Sequence, residues 1–413
     1  MEIVKSGAIV GEIEVPADKS ISHRAAMIAS LCEEPTVIKN YLRAADCMST
    51  LECLRKLGAR IEDDGEIIRI SGKLQDATGI LDCGNSGTTL RLLMGLVAGQ
   101  GLRATFTGDD SLKRRPLDRV INPLRSMGAI IEGDRLPVTI HHSHLKSITY
   151  YLPLPSAQIK SAILFPALSI GSKIVELIRS RDHSERMLKV FGASIRREGT
   201  EIIVKPSKLS TPGEIEIPGD ISSAAYWIVL ATIVRGSRLL IRNVGINPTR
   251  TGLIEVMEKM GARIRIVNDR LKCGEPVADM EVESADLRGI EIGGEQIPRL
   301  IDEIPILSVA AAYADGETII RDAGELRVKE SNRLTAIMEL NKLRRGACEA
   351  DGDTLRIRGG TAVTYGSCKT YGDHRIAMTL AIAGAAGLGV EIDDSDCVNI
   401  SYPDFFKSLR GKR

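Results

Sequence analysis

Aromatic side chains are scarce in this chain: they make up 3% of 413 residues, with a single tryptophan. That scarcity removes the stacking platform on which single-stranded nucleic-acid binders lay successive bases. An excess of charge is missing too, since 55 Lys and Arg meet 54 Asp and Glu, whereas a general polyanion binder carries a basic surplus. No stretch reaches the ~18 uninterrupted apolar residues of a membrane span, and no secretory signal pattern opens the chain. The eight cysteines include no C-x-x-C pair, which points to reduced thiols rather than a disulfide framework or zinc site. No G-x-G-x-x-G loop or G-K-[ST] phosphate loop occurs, so nucleotide binding is unsupported. His141, His142 and His144 cluster in sequence, but on a strand only His142 and His144 share a face, and no third ligand sits at zinc spacing. These exclusions predict a soluble cytoplasmic protein with no metal, nucleic-acid or membrane partner.

A hydrophobic fraction of 43% is ample for folded cores, and the length implies two or three domains. Gly-Ala followed by a short charged strand recurs at Gly58-Ala59, Gly128-Ala129, Gly192-Ala193, Gly261-Ala262 and Gly346-Ala347. Each follows a helix with apolar residues at helical spacing, such as Leu51, Leu54 and Leu57, which the glycine would end as a C-cap. A second, more apolar helix in each unit begins at small polar residues: Asp18-Lys19-Ser20, Asn85-Ser86-Gly87, Ser156-Ala157-Gln158, Asp220-Ile221-Ser222, Asp302-Glu303 and Asp373-His374-Arg375. Helices this apolar on most sides are expected to be buried. The chain therefore reads as α/β, with six similar βαβ-type units, the last cut short. Glu14-Val15-Pro16-Ala17-Asp18 resembles Glu216-Ile217-Pro218-Gly219-Asp220, as if the chain crossed twice between two bodies. The expected division is 18–218 for one domain of three units and 219–413 for the other. Residues 1–17 supply the first strand of the latter, and the crossings at 15–19 and 217–220 form a proline-stiffened hinge.

Buried helices that start at a common surface would aim their N-terminal partial charges and free N–H donors at one place, a ready anion site. Lys19, Arg24, Arg91, Arg115, Lys329, Arg333 and Arg375 cluster at those starts, and arginine suits phosphate and carboxylate because its planar fork donates twice. Arg327-Val328-Lys329-Glu330-Ser331-Asn332-Arg333 crowds three cations around one carboxylate near a helix start. Lys329 and Arg333, four apart, are expected on one helix face with Glu330 between them. Asp302 and Glu330 stand in environments of different polarity, as a pair dividing acid and base work would.

Lys19-Ser20-Ile21-Ser22-His23-Arg24, Gly84-Asn85-Ser86-Gly87-Thr88-Thr89-Leu90-Arg91, Lys113-Arg114-Arg115-Pro116, Ser156-Ala157-Gln158, Ser180-Arg181-Asp182-His183, Arg327-Val328-Lys329-Glu330 and Asp373-His374-Arg375 resemble, in order, the 5-enolpyruvylshikimate-3-phosphate synthase family. The wording is closest to its second subgroup, and the likeness runs from residue 11 to about 406. The resemblance implies two similar globular domains, each of three βαβαββ units around buried parallel helices, an inside-out α/β barrel. It implies a monomeric enzyme of aromatic amino acid biosynthesis, without cofactor, that moves the enolpyruvyl group of phosphoenolpyruvate to the 5-hydroxyl of shikimate 3-phosphate. Under it Lys19, Ser20, Arg24, Ser156, Ala157, Gln158, Ser180, Arg181, Asp302 and Lys329 hold shikimate 3-phosphate. Arg91, Arg115, Arg333 and Arg375 surround phosphoenolpyruvate, with Lys19, Gly87, Gln158 and Lys329 beside them. Asp302 and Glu330, aided by Lys19, transfer protons, and His374 is expected on the substrate side. Gly87 keeps the residue type tied in the family to glyphosate binding.

Three positions depart from the commoner pattern: Ile400 for a lysine, Glu325 for asparagine and Ala17 for glycine. A related family, the UDP-N-acetylglucosamine enolpyruvyl transferases, carries a cysteine in the loop before Arg-Pro, and Gly108–Pro116 contains none. A catalytically silent RNA-binding module built from the same repeats is disfavoured by intact Lys19, Asp302, Glu330 and Arg375 and by the balanced charge.

Overall fold

The computed structural model describes residues 1–343, 348–360 and 364–412; the fifth Gly-Ala repeat, at 346–347, lies outside them. Two compact units emerge. The N-terminal unit comprises Ala17–Pro218 with Leu271–Glu275, and the C-terminal unit comprises Met1–Pro16, Gly219–Arg270 and Pro276–Arg413.

Among the described residues the strands form six sheets. In the N-terminal unit each sheet repeats one order: a short first strand parallel to the second, then two antiparallel neighbours. Thr36–Lys39 pairs with Ile67–Gly72, which pairs with Ala59–Asp63. Ala104–Thr107 and Ser172–Val175 open the other two sheets in the same way, beside Leu81–Asp82 and Thr149–Tyr151. The parallel partner of Thr36–Lys39 is Glu214–Glu216, the last strand of the unit rather than its first. Correspondingly, Val10–Glu14 at the start of the chain lies parallel to Arg238–Gly245 in the C-terminal unit. Each unit thus completes its first sheet with a strand from a distant part of the sequence, and the Pro-containing crossings follow from that exchange. Asp18 N–H donates to the Pro218 carbonyl and Asp220 N–H to the Pro16 carbonyl, both at 2.8 Å. In the sixth sheet the N-terminal Glu2–Ile3 pairs antiparallel with Val390–Ile392.

Strand alternation explains the layers. Ile68 and Ile70 point inward and are fully buried, while their neighbours Ile67 and Arg69 are partly exposed, the period-2 pattern of a sheet with one covered face. The amphipathic helices end as the repeats predict: Gly58, Gly128, Gly192 and Gly261 all have φ between 88° and 105°, a region that costs glycine little and other residues more.

The apolar helices form the core. Lys19–Ala29, Gly87–Gly99 and Ala157–Ile170 serve the N-terminal unit, and Ile221–Ile233, Ile304–Tyr313 and His374–Ala386 serve the C-terminal one. Five of them are apolar on nearly every side, so burial suits them; Lys19–Ala29 also buries Ser22, His23 and Arg24. Tyr226 and Trp227 are core residues, packed edge-on or tilted against Phe405. Two helices touch through their backbones: a Cβ on Gly95 would lie 2.2 Å from the Ala162 carbonyl oxygen, and one on Gly99 2.7 Å from Pro166 Cα. Gly95→Ala is therefore expected to destabilise by overpacking, by about 1–3 kcal/mol. A lower urea midpoint at unchanged m-value checks it; an unchanged midpoint contradicts the close approach.

Candidate active site

Five of the six apolar helices begin at a side chain that caps them. Asp18, Ser86, Ser156, Asp220 and Asp373 each accept a backbone N–H of the first turn. The sixth begins after Glu303, which makes no capping bond; Asp302, one residue earlier, faces cations instead.

In the N-terminal unit, side-chain hydrogen bonds tie the helix starts together. Arg91 Nη1 donates to Gln158 Oε1 at 2.7 Å, and Gln158 Nε2 donates to Thr88 Oγ1 at 3.0 Å, joining the second and third buried helices. Arg24 is 3% exposed and reaches from the first helix to Ser161 on the third (3.1 Å) and to Ser184 (2.7 Å), while its Nη1 donates to the Ser20 carbonyl. Burial above all lowers the Arg24 guanidinium to about 10, and the nearby Arg181 charge acts in the same direction. Lys19 pairs with Asp46 Oδ2 at 2.9 Å. Arg115 donates to the Asn85 carbonyl (3.1 Å) and to Asn85 Oδ1 (2.7 Å). Gly87 opens the second helix between two guanidiniums: a Cβ there would stand 2.6 Å from Arg91 Nη1 and 3.3 Å from Arg115 Nη1. Two cations at the first turn of a buried helix make an anion site.

Behind these groups runs a buried hydroxyl chain. His23 Nδ1 lies 2.7 Å from Thr50 Oγ1, which lies 2.7 Å from Thr89 Oγ1, which donates to Ser86 Oγ at 2.7 Å. Burial, with Lys19 and Arg24 close by, holds the His23 imidazole well below its ordinary range and therefore neutral. The unfolded chain takes up that proton below about pH 6.5 and the folded chain does not, so stability falls with pH there by about 1.4 kcal/mol per unit from this group. Urea unfolding between pH 6.5 and 5 should show a shallower pH slope for His23→Gln than for the unaltered chain; equal slopes would mean that His23 titrates normally.

In the C-terminal unit the cations meet carboxylates. Arg333, wholly buried, donates through Nε to Asp373 Oδ2 (2.9 Å), through Nη1 to Asp302 Oδ1 (3.2 Å) and through Nη2 to Glu330 Oε2 (2.5 Å). Lys329 Nζ lies 3.5 Å from Asp302 Oδ1, and Arg375 Nη2 lies 3.9 Å from Asp302 Oδ2. Burial alone would lower Arg333, but Asp373 and then Glu330 hold it above its ordinary value. Arg375 is raised in the same way, by Asp302 against the effect of burial. Lys329 does not share a helix face with Arg333, contrary to the expectation from spacing. Gly324–Val328 is a 3₁₀ turn, Lys329 is extended (φ −78°, ψ −154°), and the α-helix begins at Arg333 after its Asn332 cap. The intervening bend brings Glu330 back onto the Arg333 guanidinium.

Ser20, Ser156, Ala157, Gln158 and Arg181 are partly exposed, but Ser180 is buried and both its N–H and its hydroxyl donate to Glu176 Oε1. His374 is 1% exposed. His142 and His144 do not share a strand, because that strand ends at His141; His142 contacts the Gly101 carbonyl (2.8 Å) and Asp76 (3.0 Å). A cavity of about 430 Å³ lies against the helix His183–Val190, but no candidate residue lines it. Its arginines already meet carboxylates, as Arg179 and Arg186 do at Asp182. Asp46 and the hydroxyl chain escaped the sequence reading, and Asp373 was read only as a helix start and part of a family motif. Lys160 escaped it too, wholly buried between Glu176 (3.1 Å) and Glu185 (2.8 Å), although it is the sole charge in its helix.

Comparison with known proteins identifies the family. The family model described as EPSP synthase (3-phosphoshikimate 1-carboxyvinyltransferase) matches residues 3–409. A 3-phosphoshikimate 1-carboxyvinyltransferase of Desulforudis audaxviator is 49% identical, covering 100% of this chain and 99% of its own, and one of Thermoanaerobacter sp. is 48% identical over 99% of each. The solved EPSP synthase of Acinetobacter baumannii superposes with a TM-score of 0.88 at 37% identity, covering 100% of this chain and 97% of that one. The enolpyruvyl transferase NikO of Streptomyces tendae shares the fold at a TM-score of 0.82 and 19% identity, over 100% of this chain and 96% of that one. The chain belongs to the EPSP synthase family, whose members transfer the enolpyruvyl group of phosphoenolpyruvate to shikimate 3-phosphate.

Proposed function

We propose that this transfer is carried out by Glu330 and Asp302 as the proton-transfer groups, with Lys19 assisting at the phosphate. Addition needs a proton delivered to the methylene carbon of phosphoenolpyruvate while the 5-hydroxyl loses one to a base. Elimination takes a proton back from the resulting methyl group as phosphate leaves. The observation that carries the reading is the shared guanidinium of Arg333, which holds Glu330 at 2.5 Å and Asp302 at 3.2 Å. Two carboxylates fixed on one cation can hold and return protons without large rearrangement. Asp302, with Lys329 and Arg375 also close, suits the hydroxyl; Glu330 suits the carbon.

In the N-terminal unit the reading assigns shikimate 3-phosphate to Lys19, Ser20, Arg24, Ser156, Ala157, Gln158 and Arg181. Ser180 supports that pocket through its buried bonds to Glu176. Gly87, Arg91, Arg115 and Gln158 are assigned to phosphoenolpyruvate, supported by the paired guanidiniums at a helix start. In the C-terminal unit Asp302 and Lys329 serve the first substrate, and Arg333 and Arg375 the second. The enzyme is further read as a cytoplasmic monomer sensitive to glyphosate. The domains are read as 18–218 and 219–413, with residues 1–17 belonging to the second and the crossings at 15–19 and 217–220 as hinges.

Glu330→Gln is expected to cut phosphate release by at least about a hundredfold, with shikimate 3-phosphate binding nearly unchanged. Calorimetric titration beside the release assay checks this, and an equal loss of binding would place Glu330 in recognition instead. Gly87→Ala should push Arg91 aside and raise KM for phosphoenolpyruvate about tenfold or more, the effect of weakening one charge-assisted contact, with KM for shikimate 3-phosphate little changed. Steady-state kinetics with both substrates varied would show it; an unchanged KM for phosphoenolpyruvate contradicts the assignment of Arg91 and Arg115.

A further inference from the structure

Asp373, read from the sequence as a helix start, is the one carboxylate of the Arg333 cluster with no part in the proposed proton transfer. It is wholly buried at the start of the helix His374–Ala386. Its Oδ2 accepts from Arg333 Nε (2.9 Å) and from Ser331 Oγ (2.9 Å); its Oδ1 accepts from Arg333 Nη2 (3.3 Å) and from the Arg375 backbone N–H (2.9 Å). One side chain therefore fixes the plane of the Arg333 guanidinium, the loop before it through Ser331, and the first turn carrying Arg375.

The charges matter as much as the geometry. Arg333 carries one positive charge and touches three carboxylates: Asp373 at 0%, Asp302 at 14% and Glu330 at 23% side-chain exposure. Burial acts to raise the Asp373 carboxyl, but Arg333 holds it below its ordinary range. Other charges facing the cluster are Lys329, Arg375 and, beside Arg375, Glu303 at 3.9 Å.

We propose that Asp373 is the positioning residue of the proton-transfer group: it holds Arg333 by two bonds, so that the guanidinium is aligned on Glu330, and it sets a like charge beside that carboxylate. This rests on Glu330 being that group. Without the Asp373 charge, Glu330 would lose a like-charged neighbour and hold a proton less readily.

Asp373→Asn keeps a helix-capping oxygen and removes the charge. It is expected to lower kcat at least about tenfold with KM for phosphoenolpyruvate within about twofold, and to move the limb of the kcat profile on which Glu330 must be protonated about one pH unit lower. Both steady-state constants are measured across pH, with melting temperature and shikimate 3-phosphate binding confirming the fold. A kcat and pH profile like those of the unaltered enzyme overturn the proposal, as does a loss confined to KM. If Asp373→Asn does not fold, Ser331→Ala serves, since it removes one donor that orients Asp373 and leaves every charge in place. It should lower kcat about threefold with the pH profile unmoved, the scale of one neutral hydrogen bond; an unchanged kcat overturns the proposal. Glu330→Gln separates the two readings. Turnover that survives it refutes the role of Glu330 itself, whereas an inactive Glu330→Gln beside a normal Asp373→Asn refutes only the inference drawn for Asp373.

Discussion

A guanidinium with no exposure to water must be met by negative charge or the fold loses several kcal/mol. Arg333 is such a group, and much of the C-terminal unit's polar architecture answers it. Asp373 sits at a helix start where it can grip two of the guanidinium nitrogens. Asp302 leaves the capping of its own helix undone and turns to Nη1. The chain between the 3₁₀ turn and the helix at Arg333 stays irregular, which lets Glu330 fold back on Nη2. Together the constraint places three carboxylates on one cation, an arrangement that water would dissolve and burial preserves.

The N-terminal unit solves a related problem with neutral groups. Arg24 hydrogen-bonds to two serine hydroxyls and a carbonyl, and Arg115 to the Asn85 carbonyl and side chain. Neutral acceptors satisfy the donors without cancelling the charge, so the positive field survives for an anionic ligand. Where carboxylates meet the cations, as at Arg333, the local charge is balanced and protons can be held. The two clusters thus differ in kind: Arg24 and Arg115 are met by neutral acceptors, and Arg333 is met by carboxylates.

Much of this was legible in the chain. Small polar residues before Ala- and Leu-rich runs marked the starts of the buried helices, because the capping and the apolar periodicity are local properties. The Gly-Ala repeats marked helix ends for the same reason, through a conformation glycine adopts readily. Two similar Pro-containing segments suggested crossings between two bodies. What could not be read was tertiary. The four-residue spacing of Lys329 and Arg333 suggested a helix face, but the need to bring Glu330 to the guanidinium kept that segment irregular. Asp46 and Thr50 lie on an ordinary amphipathic helix, and nothing in their neighbours signals that they face Lys19 and His23. Lys160 is a lone charge in an apolar helix, yet its partners Glu176 and Glu185 are set by folding alone.

The central claim is that Arg333 is tolerated in the interior because Asp373 is there. A double-mutant cycle on unfolding free energy at neutral pH tests it most directly, using Arg333→Met, Asp373→Leu and the pair. Each single change should cost about 3–5 kcal/mol by stranding a buried charge, and the double change should cost far less than their sum. Losses that simply add would show that the two side chains do not depend on each other, and the account would be wrong at its base.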